Sequence, residues 1–115
     1  MCRPRVDRSE LEDLLEQAEL RCRHVLDEME ADERKHERWV RHRRRMRSAT
    51  EAVASARALV VKSQADGPAI RRQISIAHAH VGNLRIMSRR NERVRLAEAE
   101  HLLDEALALL DDPPI

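Results

Sequence analysis

Leu11, Leu15, Ala18, Cys22, Val25 and Met29 follow one another at alternating steps of four and three. That spacing draws one apolar stripe down a helix, with the period of a coiled-coil seam. One of its two tracks runs on at steps of seven through Asp32, Trp39, Met46, Val53 and Val60, and only Asp32 interrupts it. The other track decays into His36, Arg43, Thr50 and Arg57. Ser9 and Glu12 have the spacing of a capping box, so a helix should begin near residue 10. Ser48 and Glu51 repeat that spacing, but the surviving apolar track favours a helix that continues through them.

The clear stop is QADGPA, residues 64–69. Gly67 suits a C-cap or tight turn, and Pro68 suits the first turn of a following helix. Beyond it, Ile70, Ile74, Ala77, Val81 and Leu84 make a second seam, and Leu96, Ala99, Leu103, Ala106 and Leu110 a third. These two are out of register across SRRNER, residues 88–93, which predicts a kink or break there with Asn91 as an N-cap. The expected fold is all-α, a long antiparallel helical hairpin of coiled-coil character in a single domain. Its parts are a tail over 1–9, a first arm over 10–64, a turn at 65–68, a second arm over 69–110 and a tail over 111–115.

The apolar complement is thin: no Phe, no Tyr and one Trp in 115 residues. One hairpin cannot cover both long seams with so little, so the pattern predicts a bundle completed by homo-oligomerisation. Leu11, Leu15, Val25, Met29, Trp39 and Met46 would line the oligomer seam.

Charge narrows the function. The formal net charge is only +1, yet residues 1–33 hold 5 basic and 11 acidic side chains, residues 34–95 hold 17 and 4, and residues 96–115 hold none and 6. Folding the chain about residue 66 sets the basic stretch of one arm beside that of the other. Arg34, Arg38, Arg41 and Arg45 then form one stripe, and Arg85, Arg89 and Arg93 a second with Arg90 beside it. Guanidinium groups hold their charge and pair with phosphates in a fork, so such a belt fits the backbone of DNA or RNA. The rival reading is a scaffold, adaptor or inhibitor whose belt meets an acidic protein surface.

Other chemistries find little support. Glu33 with His36, and Glu98 with His101, have a spacing used in di-metal bundles, but pairs this common in so Glu-rich a chain arise by chance. His78 and His80 point to opposite sides of a helix and cannot chelate together. No glycine loop cradles phosphate, and no nucleophile stands beside a base. The sequence therefore predicts no enzyme, no cofactor and no metal site. No apolar run reaches the length of a membrane span, and Cys2 with Cys22 make no disulfide framework, which fits a cytoplasmic setting without a membrane partner.

Overall fold

The computed structural model of the chain describes residues 8–31, 37–62, 67–87 and 90–111, with every side chain there except those of residues 8, 38, 90, 91 and 111. Four helices result: α1 (Arg8–Ala31), α2 (Glu37–Val61), α3 (Gly67–Met87) and α4 (Arg90–Asp111). The described residues contain no strand. Each helix packs on two others, α1 on α2 and α4, and α3 on α2 and α4, so the four close into a ring of neighbours.

Neighbours run antiparallel. Glu30 meets Arg47 while Glu19 meets Arg57, so α2 returns along α1. Arg21 meets Glu98 and Glu28 meets Arg95, which sets α4 against α1 in the opposite sense. His78 with Asp104 and Arg85 with Glu100 do the same for α3 and α4.

The expected first arm over 10–64 is therefore not one helix but two lying side by side. The division falls between Ala31 and Glu37. Residues 32–37 read DERKHE, six charged or imidazole side chains with nothing to bury. Asp32, the one polar member of the long heptad track, sits in this stretch. A helix carried straight through it would hold two amphipathic halves far apart, each with its apolar stripe in water. Folding back lets the two stripes cover each other, at a loop-closure cost that is small for a connection this short. At Ser48 the expected continuity holds, for α2 runs unbroken from Glu37 to Val61. The break expected within 88–93 falls between Met87 and Arg90, and Asn91 lies inside the first turn of α4 rather than before it. Gly67 is the first residue of α3 and has no positive φ, so it opens a helix instead of capping one.

The core follows the heptad reading closely. Every apolar residue of the long track is buried, from Leu11 and Ala18 through Val25, Trp39, Met46 and Val53 to Val60. Ile70, Ile74, Ala77, Val81 and Leu84 join them from α3, and Leu96, Ala99, Leu103 and Ala106 from α4. Seven of the 23 buried apolar residues are alanines, which lets a chain nearly without aromatics bring four helices close together. The six residues expected on an oligomer seam, Leu11, Leu15, Val25, Met29, Trp39 and Met46, are all buried inside one chain. In this fold they are covered by neighbouring helices of the same chain, those on α1 by α2 and α4 and those on α2 by α1 and α3.

Two polar groups enter this core with partners. Thr50 Oγ1 donates to the Met46 carbonyl at 2.8 Å. Glu19 is held by Arg57 at 3.4 Å and approached by Arg23 at 3.7 Å. Cys22 is fully buried, and desolvation, with the Glu19 charge nearby, pushes its thiol up to about 12. A thiol held so far above neutrality is protonated and unreactive. In a Cys2→Ser background, Cys22 should react with a thiol-specific reagent at least about a hundredfold more slowly in native buffer than in denaturant. Equal rates would mean that α1 does not bury this face.

Candidate nucleic-acid interface

The ring order sorts charge by side of the bundle. α1 carries eight carboxylates against three arginines, and its neighbour α4 six against three. α2 carries seven arginines against two carboxylates, and α3 three arginines and no carboxylate. One side of the bundle, α1 with α4, is acidic and the other, α2 with α3, is basic. The blocks seen along the sequence thus become opposite sides of the bundle, where the hairpin reading had placed them as successive zones along a rod.

At the seams between the two sides the opposite charges meet. Arg47 donates to Glu30 at 3.1 Å and Arg57 to Glu19 at 3.4 Å where α2 meets α1. Arg85 donates to Glu100 at 3.0 Å where α3 meets α4. Two further pairs tie α1 to α4: Arg21 donates to Glu98 at 2.8 Å, and Arg95 donates to Glu28. Arginine pairing with carboxylates, the alternative to a phosphate site, is thereby realised within one molecule, and it occupies a definite subset of the arginines.

The remainder lie on the basic side. Among the described residues no ion pair holds Arg41, Arg44 or Arg45 on α2, or Arg72 on α3, and all four are exposed. Arg41 and Arg45 are one helical turn apart and, with His42 and Met87, line a recess of about 280 Å³ between α2 and the end of α3. His80 on α3 lies near enough to Arg45 to feel its charge. Burial, reinforced by the Arg45 guanidinium, lowers its pKa, so the imidazole is neutral at neutral pH. Trp39 is buried and edge-on to His42, with ring centroids 6.2 Å apart.

The other expected belt residues are distributed differently. Arg85 faces α4, bound to Glu100, so the second stripe does not continue the first across a single groove. Arg93 is exposed on α4, on the acidic side. Arg34 and Arg89 lie outside the described residues, as do the side chains of Arg38 and Arg90. Arg44 and Arg72 were not in the expected set; the signal that finds them is which helix they ride on, not their spacing. Of the two Glu-x-x-His pairs, Glu33 and His36 lie outside the described residues. Glu98 is bound to Arg21 and His101 to Glu105, both at the surface. His78 and His80 do diverge, the first toward α4 and the second toward α2.

No family model, curated protein or solved structure matches this chain. Its site must be read from its own residues.

The seam pairs differ in weight. The Glu19 side chain is 11% exposed and that of Glu98 51% exposed. Removing the partner of a buried carboxylate leaves its desolvation uncompensated, whereas an exposed pair contributes little. Arg57→Ala should cost about 1–3 kcal/mol in urea denaturation, and Arg21→Ala under about 1 kcal/mol. Equal losses would show that Glu19 is not buried in solution.

Proposed function

We propose that this chain is a non-catalytic nucleic-acid-binding bundle that grips phosphates with the arginines of its α2–α3 side. The observation that carries the reading is the trio Arg41, Arg44 and Arg45, exposed on the basic side with no carboxylate partner among the described residues while neighbouring arginines are tied into seams. Guanidinium groups left without a counter-charge in water attract polyanions, and phosphate contacts release condensed counterions. Arg72, farther along the same side, lengthens the footprint. By the helix rise it lies roughly 15 Å along the bundle from the trio, a span that takes in several phosphates. Contacts of this kind position a backbone and read little sequence. The acidic α1–α4 side would face away from the duplex or strand and limit indiscriminate sticking. Nucleic acid of this class goes with a cytoplasmic setting, and no described helix is long and apolar enough to cross a membrane.

A second reading is favoured by one observation. Ile86, Met87 and Val94 are 69%, 47% and 57% exposed near the same end of the bundle as Arg41 and Arg45. Apolar side chains beside a basic recess suit an acidic protein surface with its own apolar contacts. Self-association, basic side on acidic side, belongs to the same class and would be equally salt-sensitive.

The test is fluorescence anisotropy of labelled duplex DNA, single-stranded DNA and RNA over a range of salt. The reading expects saturable binding with a steep log–log salt slope. Arg41→Glu with Arg45→Glu should abolish binding at unchanged helicity, and the alanine pair should lower the slope by about two. Absence of binding at low salt to all three probes would overturn it and leave the acidic-protein reading.

A further inference from the structure

We infer that His78 on α3 together with Glu100 and Asp104 on α4 forms a binding site for a divalent transition metal of the zinc class. Each of the three residues offers one ligand atom, and these atoms all lie within 4.8 Å of one another. The placement follows from the helices. Glu100 and Asp104 are one turn apart on the side of α4 that packs on α3, and His78 is on the side of α3 that meets them.

The His78–Asp104 ion pair accounts for two members of the cluster but not for Glu100 beside them. His78 Nε2 is itself buried, and Asp104 Oδ1 lies 2.7 Å from it as an ion-pair contact without an assigned hydrogen bond. Buried polar atoms in packed proteins are as a rule satisfied, and an ion held between this imidazole and the two carboxylates would satisfy all three. The backbone also makes room for the third ligand. A side chain at Gly82, one turn beyond His78, would place its Cβ 3.3 Å from Glu100 Oε2. Glycine there lets the carboxylate lie close against α3.

One nitrogen and two carboxylate oxygens suit zinc and its neighbours in the first transition row better than calcium or magnesium, which take oxygen cages. Around a tetrahedral ion bound at about 2.1 Å, ligand atoms sit about 3.4 Å apart. Reaching that spacing from the distances present takes shifts of about 1 Å, within the range of side-chain rotation. Three protein ligands leave a fourth position open, and Asp104 is exposed enough to admit water there. Arg85, 3.0 Å from Glu100, is a cation at the site. It holds Glu100 in place and opposes the incoming charge. The ion would tie α3 to α4 about midway along their seam, which is a different seam from the α2–α3 groove, so the inference stands apart from the nucleic-acid reading.

The test is isothermal titration of the full-length, chelator-treated protein with Zn2+, and with Co2+ followed by visible absorption, in a Cys2→Ser background. The expected result is one ion per chain and a rise in melting temperature with Zn2+. His78→Ala and Asp104→Asn should each weaken binding at least about tenfold, and Arg85→Gln should tighten it. His101→Ala, which removes a surface histidine paired to Glu105 on the same helix, should leave affinity unchanged. Circular dichroism verifies that each variant stays helical. Asp104 is exposed, so its variant tests the site even if the His78 variant unfolds. Absence of saturable binding, or equal affinity in Asp104→Asn and the parent, would overturn the inference.

Discussion

The structure depends on one reversal, the turn between α1 and α2. Upstream of it lies a heptad stripe from Leu11 to Met29, and downstream its continuation from Trp39 to Val60. Both stripes are too apolar to stand in water and too poor in large side chains to make a core alone. Six consecutive charged or imidazole residues between them offer nothing to bury, so the chain yields there. Once α2 lies back on α1 and α3 back on α2, a third reversal after Met87 brings α4 against α1 and closes the ring. The alanines and valines that make a meagre two-helix seam then suffice for four helices, because each faces two neighbours.

The same reversal decides where the charge goes. Helices α1 and α4 are the acidic segments and become neighbours; α2 and α3 are the basic ones and become neighbours too. Like charges side by side raise the energy of each side. The seams offset this with cross-pairs, Arg47 to Glu30 and Arg57 to Glu19 on one flank, Arg85 to Glu100 on the other. What the seam pairs leave over is the stretch of the basic side near one end of the bundle, where Arg41, Arg44 and Arg45 stand. A near-neutral chain thus carries a strong transverse polarity, and that polarity, not net charge, is the physical basis of the functional reading.

Much of the core was legible in the residues. The heptad track named Leu11, Val25, Trp39, Met46 and Val60 as buried, and the two out-of-register seams marked the break near residue 88. The reversal after Ala31 was harder to see, because a helical period survives any polar insertion that leaves its phase intact. Trp39 falls in register with Val25 whether the chain runs straight or turns back. The deciding sign was the uninterrupted polarity of residues 32–37, which outweighs a single well-phased tryptophan. From that turn follows everything the hairpin reading placed differently: the seam closed within one chain, Arg85 drawn to α4, and charge sorted by side. The His78, Glu100 and Asp104 cluster has no sequence signature, since 22 positions and a break between helices separate its first member from its second.

The most direct test of this account is a distance. Spin labels placed at Glu16 and Ala58, with both native cysteines replaced by alanine, can be read by pulsed dipolar spectroscopy. A first arm that ran as one helix would hold them about 63 Å apart, from 42 residues at the helical rise. A chain that turns back after Ala31 sets the two labels on adjacent helices at the same end of the bundle, well under about 30 Å apart. The short distance is what the reversal requires. The long one would dissolve the ring of helices, and with it the basic side on which the proposed function stands.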